Sequence, residues 1–130
     1  MAGWEDVREL ALGLPDTTET LSRGEMHWRV HHKAFVWERR LRRPDLEELH
    51  LDEQGGPVLA ARVEDEAVKR ALVVEDRSVF FTTRHFDGWP VVLVRLDRIS
   101  RRRLSEVVAE AWLSRAPARL AREHLESFPD

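Results

Sequence analysis

The spacing of apolar residues changes several times along this chain, and each change marks a predicted element. Between Trp4 and Leu14 the positions Val7, Leu10, Ala11 and Leu14 recur at i, i+3, i+4 and i+7. That is the stripe of an amphipathic helix, with Glu5, Asp6 and Glu9 in early turns where the helix dipole favours anions. Pro15 ends it, and the polar run Asp16-Thr17-Thr18-Glu19-Thr20 leads on to a period of two. Met26 to His31 and Ala34 to Arg39 alternate as the arms of a hairpin. With His32-Lys33 as its turn, Val30 faces Phe35 and Trp28 faces Trp37; His27, Arg29, His31 and Glu38 then share the opposite face. The basic run Arg39 to Pro44 reads as a solvated loop facing Asp45, Glu47 and Glu48. Gln54-Gly55-Gly56-Pro57 is a turn, Val58 to Val63 a strand, and Glu64 to Val74 a helix with Val68, Ala71 and Leu72 inward. Ser100 is an N-cap for a helix whose Leu104, Val107, Val108, Ala111 and Trp112 form one stripe. Ala116-Pro117 breaks that helix, and Ala118 to Leu125 predict a short last one.

The most informative stretch is Val79 to Asp97, where two runs rich in β-branched and aromatic residues flank Asp87-Gly88, a strong hairpin signal. With Asp87-Gly88 as the central turn residues, Arg84 faces Val91, Phe81 faces Val94 and Phe80 faces Arg95. Cross-strand partners share a face. One face is then nearly all apolar (Val79, Phe81, Thr83, Val92, Val94, Leu96) and is the predicted core. The other carries Phe80, Thr82, Arg84, Phe86, Trp89, Val91, Leu93, Arg95 and Asp97, and its mixture of aromatics and arginines makes it the candidate functional surface. The order helix, hairpin, strand, helix, hairpin, helix predicts an α+β two-layer sandwich, with N- and C-terminal helices packed on one face of one antiparallel sheet.

Composition narrows the class. A chain of 130 residues, 42% hydrophobic and 35% charged, suits one domain spanning 1–130. Without cysteine there is no disulfide framework or thiolate metal site, and no apolar run suits a signal peptide or a membrane span, so a cytoplasmic protein without membrane contact is expected. The net charge of −3 argues against indiscriminate binding to polyanions. No glycine-rich phosphate loop, nucleophile elbow or zinc motif is present, which points to a non-enzyme without a cofactor. His27, His31 and His85 could share a face with Glu38, but strand neighbours two apart are no dedicated ligand spacing, so no metal site is expected. His85 and Asp87 sit at a hairpin tip with no nucleophile and read as turn-bonding groups.

Several motifs taken together resemble the MmcQ/YjbR family. They are Ala11-Leu12-Gly13-Leu14-Pro15 with Glu19, Trp28-Arg29-Val30 through Lys33-Ala34-Phe35, Phe80-Phe81-Thr82-Thr83 with His85-Phe86-Asp87-Gly88, Val92 to Leu96, and Ala111-Trp112 with Ala116-Pro117. The resemblance implies a CyaY-like, frataxin-like sandwich and DNA binding through a double-wing arrangement of hairpins. The chain departs from the family pattern at Arg84, where proline is expected, at Trp89, where tyrosine is expected, and at His32, where glycine is expected. The resulting expectation is DNA binding by Arg29, Lys33, Arg84, His85, Phe86, Trp89 and Arg95. Two other arrangements compete with it. Residues 40–57 could cover this face, making the aromatics a second small core with Arg95 over Phe80, or the face could be an interaction surface for a homodimer, a protein partner or a small anionic ligand.

Overall fold

Six strands make one antiparallel sheet in the computed structural model, which describes residues 1–127; the last three residues of the expected domain lie outside the described ones. The strands are β1 (Thr17–Ser22), β2 (Glu25–Val30), β3 (Lys33–Glu38), β4 (Val58–Arg62), β5 (Phe80–Phe81) and β6 (Val91–Arg95), in the order β1-β2-β3-β4-β6-β5. One face lies under α1 (Trp4–Leu12), α3 (Glu66–Glu75) and α4 (Arg101–Arg115), with α5 (Ala118–Glu126) at the edge of that layer. The expected α+β sandwich is the fold. Ser100 caps α4 by accepting the Arg103 N–H at 3.1 Å, and Leu104, Val107, Val108, Ala111 and Trp112 are all buried. They meet Val7 and Ala11 of α1 and Trp28, Val30, Phe35, Val92, Val94 and Leu96 of the sheet layer. Among the described residues, no helix is long and apolar enough to cross a membrane.

The polar run after Pro15 is an additional strand. Thr17 to Ser22 pair with Val30 to Glu25 through a turn at Arg23-Gly24, whose φ values of 52° and 79° suit a tight hairpin. Alternating threonines expose one side of β1 to solvent, which hides the strand from a hydrophobicity pattern. Glu19 points the other way and accepts the Trp28 indole N–H at 2.9 Å.

The first predicted hairpin turns one residue earlier than expected. Val30 pairs with Lys33, so the turn is His31-His32, with φ of 47° and 72°, rather than His32-Lys33. A two-residue turn that matches the strand twist needs positive φ at both central positions. The register then shifts: Arg29 pairs with Ala34 but Trp28 with Val36, so Phe35 is the extra residue of a bulge. The bulge keeps Trp28 and Phe35 in the helix-side core and sends Trp37 to the opposite face, beside His27. Left-handed backbone costs an L-residue roughly 1–2 kcal/mol, partly offset by the freedom glycine has when unfolded. His32→Gly is therefore expected to stabilise the protein by about 0.5–1 kcal/mol, read as a higher urea midpoint with unchanged slope; a lower midpoint would show the histidine ring stabilising the turn.

The second predicted hairpin is also out of register by one on its first arm. Phe80 pairs with Val94 and Phe81 with Leu93, so Phe80 enters the helix-side core and Phe81 the opposite face. Asp87-Gly88 does not close a two-residue hairpin. Residues Arg84–Phe86 form a turn of 3-10 helix, and Gly88 with φ of 80° lets the chain swing back into β6. The β6 alternation is as expected, Val92 and Val94 toward the helices and Val91 and Leu93 away.

The face expected to be open is substantially covered. Leu41, Leu46 and Leu49, from the segment around α2 (Arg43–Glu48), pack on Val58, Ala60, Phe81, Phe86, Val91 and Leu93 to make a second core. The basic run is thus no solvated loop. Arg39 is 6% exposed and donates from Nη2 to Asp45 Oδ2 at 2.9 Å; the same carboxylate oxygen takes the Arg42 N–H at 2.8 Å and so caps α2. Pro44 lies in the first turn of α2, where no N–H is needed. Arg42 reaches back to Glu25, tying the covering segment to β2.

Candidate nucleic-acid interface

The covering segment leaves part of the second face free. Strand parity places Thr18, Thr20, His27, Arg29, Trp37 and Arg62 on that remaining surface. His27 stacks on Trp37, with ring centroids 6.3 Å apart and planes within 4° of parallel. Arg29 lies along the face, donating from Nε to Thr20 Oγ1 and from Nη1 to the His32 carbonyl, both at 3.3 Å. At the end of the sheet that carries the β2–β3 turn, the surface deepens into a cleft of about 310 Å³ lined by Trp37, Arg62, His85, Phe86, Trp89 and Val91. Among the described residues no carboxylate lines it.

Trp89 is the most prominent feature, 59% exposed on a segment that is otherwise held firmly. Lys69 of α3 is only 4% exposed; its ammonium donates to the Phe86 carbonyl at 2.7 Å and the Trp89 carbonyl at 2.9 Å. The buried ammonium needs acceptors, and these two carbonyls supply them together with Glu66 Oε1 at 3.5 Å. Phe86 lies buried, with the His85 ring edge-on at 4.8 Å and the Arg39 guanidinium 5.1 Å from its centroid. The Arg84 N–H donates to Glu48 Oε1 at 2.9 Å, fastening the same segment to the covering helix.

The expected site residues are therefore only partly together. Arg29, His85 and Trp89 belong to one strip, and Phe86 is part of the cleft wall rather than a projecting ring. Lys33 is exposed at the base of the β2–β3 turn, but it pairs with Val30 and so lies on the helix side of the sheet, away from the strip. Arg84 is exposed but faces a neighbouring cleft shared with Arg39, Arg42, Asp45 and Glu48. Arg95 is apart from the rest: its guanidinium lies 4.1 Å over Phe81, not Phe80, in a cleft of about 480 Å³ with Leu49, Gly56, Asp97 and Arg98. Burial there, and next the charge of Arg98, hold its pKa below the usual arginine value. Trp37 and Arg62 are the strip residues that sequence reasoning missed, as is Lys69, which holds the Phe86–Trp89 segment from the helix side; His27 was placed on the open face but not among the site residues. The bulge that turns Trp37 outward leaves no trace in the pattern, and the acceptors of Lys69 come from a segment about 20 residues on in the chain.

The histidines do not converge. His31 bonds Asp16 at 2.8 Å at the turn, and Glu38 points to the other side of the sheet, accepting the Met26 N–H at 3.2 Å. Among the described residues, no three His, Asp or Glu side chains gather as metal ligands.

A helix-backed antiparallel sheet whose second face is part covering core and part aromatic, cationic strip defines an α+β sandwich. The YjbR family model matches residues 12–114, and the chain belongs to that family. It is 44% identical over 128 residues to the uncharacterized protein Rv2570 of Mycobacterium tuberculosis, covering 96% of this chain and 97% of that one. The uncharacterized protein Mb2600 of Mycobacterium bovis matches to the same extent, 44% over 128 residues. Among solved structures, the DUF419 protein DR2400 of Deinococcus radiodurans superposes with a TM-score of 0.68 at 18% identity, covering 100% of this chain and 91% of that one. At that identity the likeness is one of fold.

Proposed function

We propose that this protein is a non-enzymatic DNA-binding protein that holds a single strand along the exposed strip, with the β2–β3 turn at its border. One observation carries the reading. The chain has 24 acidic and 21 basic residues, yet among the described residues no carboxylate lines the cleft that holds Trp37, Trp89, His85 and Arg62. Exposed rings stack on bases of any sequence, while guanidinium groups beside them meet backbone phosphates. Trp89 and the His27–Trp37 stack supply the ring faces; Arg29 and Arg62 supply the charge. The overall negative charge limits the phosphate contribution, so the affinity is modest and falls steeply with salt.

Titration of a labelled oligothymidylate at rising salt tests this. Stacking of one base is worth about 1–3 kcal/mol, so Trp89→Ala is expected to weaken binding roughly tenfold. Its melting temperature should stay close to that of wild type, because the ring is mostly in solvent. Absence of binding to single- or double-stranded DNA at low salt, or wild-type affinity in Trp89→Ala, overturns the proposal. An apolar protein interface on the same strip would hardly respond to salt.

A further inference from the structure

The cleft of about 480 Å³ around Arg95 lies at the other end of the second face from the strip. Val58 pairs with Arg95 at that end of β4, and Arg62 pairs with Val91 at the end beside Trp37 and Trp89. The cleft brings together three charged side chains, Arg95, Asp97 and Arg98, and an apolar wall of Leu49, Leu51 and Val58. Among the described residues, none of the three charged groups makes a hydrogen bond or an ion pair through its side chain. Arg95 is the half-buried one. Its backbone N–H is fixed to the Val79 carbonyl at 2.8 Å, and its guanidinium rests 4.1 Å over the Phe81 ring. The ring occupies the face of the guanidinium. The N–H groups lie in its plane and keep no protein acceptor, which leaves the fork that takes a carboxylate through two parallel bonds. Burial and the like charge of Arg98 both disfavour the bare cation, so an anion arriving beside Arg95 gains more than it would at a solvated arginine.

Asp97 decides which anion fits. Its carboxylate lies against Gly56, where an added Cβ would come within 2.7 Å of Oδ2, so any larger residue would displace it. A phosphate dianion in this cleft would meet that negative charge. A monocarboxylate that carries an ammonium next to its carboxylate instead satisfies both signs, and an apolar remainder suits the wall, where Leu51 is 38% exposed. The wall is already formed. Gln54 accepts the Leu41 N–H at 2.7 Å and donates to the Gly56 carbonyl at 2.8 Å, and the Leu51 N–H donates to the Leu46 carbonyl at 2.9 Å.

We propose that this cleft binds a free amino acid with an apolar side chain, its carboxylate on Arg95 and Arg98, its ammonium on Asp97 and its side chain against Leu49, Leu51 and Val58. The site is separate from the strip and stands or falls independently of DNA binding there.

Isothermal titration calorimetry with L-leucine tests the assignment. The comparisons are isocaproate, which lacks the ammonium, isopentylamine, which lacks the carboxylate, and inorganic phosphate. Wild type is expected to bind leucine more tightly than any of the three. Arg95→Gln and Asp97→Asn should each lose roughly tenfold or more in affinity for leucine, the range for a hydrogen bond to a charged group. Isocaproate separates the two roles: it should bind Asp97→Asn no worse than wild type, and Arg95→Gln more weakly. Asp97 is exposed, so its Asn variant should melt like wild type and decides the matter should Arg95→Gln melt lower. Absence of leucine binding at millimolar concentration, or unchanged leucine affinity in either variant, overturns the proposal. Isocaproate or phosphate binding wild type as tightly as leucine does so too, because the cleft would then select for negative charge alone.

Discussion

Trp112→Ala is expected to lower the folding free energy by about 3–5 kcal/mol, the range for removing a buried large aromatic side chain. That is a large share of the roughly 5–15 kcal/mol by which domains of this kind are stable. Trp112 is 0% exposed and lies on the α4 stripe against the sheet. Its indole N–H donates to the Pro15 carbonyl at 3.0 Å, and its ring meets His124 edge-on at 4.8 Å. One side chain therefore joins α4 to the chain leaving α1 and to α5. Alanine leaves a cavity that the helix cannot close without moving its neighbours, and it removes the indole donor from the Pro15 carbonyl. Trp112→Phe keeps most of the volume and loses the hydrogen bond, so it should cost only about 1–2 kcal/mol. Urea denaturation of the two variants gives the comparison. An unchanged midpoint in Trp112→Ala would mean that α4 does not pack through this face.

The second large effect concerns the segment that covers the other face. Asp45→Ala is expected to cost about 3–5 kcal/mol, because it strands the Arg39 guanidinium as a buried, unpaired charge. Asp45 is 3% exposed, and its carboxylate also caps α2, so the loss frees the helix that holds Leu46 and Leu49 over Phe81 and Leu93. Asp45→Leu combined with Arg39→Met removes both charges and should recover much of the stability. An additive loss in the double variant would show that the pair does not act as a pair. Acid titration carries the same signature. Burial by itself would raise the Asp45 pKa, but the Arg42 N–H and the charge of Arg39 outweigh it and hold the carboxyl below its ordinary value of 3.8. Glu25, bonded to the Arg40 N–H and to Arg42, is lowered from 4.5 in the same manner, burial again opposing. A carboxyl whose pKa is lower folded than unfolded stabilises fully above the unfolded value and loses that contribution as pH falls through the folded one. Melting temperature should therefore drop as pH falls below about 4.5, and drop less steeply in the Arg39→Met, Asp45→Leu protein.

Wherever burial and period coincide, the local pattern was sufficient. The α4 stripe, its Ser100 cap and the two-sided β6 follow from residue spacing alone, because a helix of 3.6 residues per turn or a strand of period two leaves a single consistent set of inward positions. The antiparallel α+β layering follows from hairpins that are each apolar on one side. Phe80 and Phe81 were not separable in that way: both are large and apolar, so either can face the helices, and the pattern cannot choose between registers one residue apart. The arm length set by the 3-10 turn at Arg84–Phe86 makes that choice. The bulge at Phe35, which moves Trp37 from the predicted core to the strip, is likewise settled by packing between strands.

Charge misleads for a related reason. Arg39 and Asp45 read as parts of a solvated, charged stretch because their neighbours in sequence are polar, yet both are buried, and so is Lys69. Their partners are the carboxylate or carbonyls that the fold brings to them: Asp45 for Arg39, and the Phe86 and Trp89 carbonyls for Lys69. From the sequence alone came the elements other than β1 and α2, the layer order and the presence of aromatic and cationic residues. Only the tertiary structure decided which of them meet, since α2 folds over Phe81 and Phe86 and leaves Trp37, Arg62 and Trp89 uncovered. The cause is that burying Leu41, Leu46 and Leu49 against the second face joins residues far apart in the chain, and local spacing carries no information about such long-range contacts.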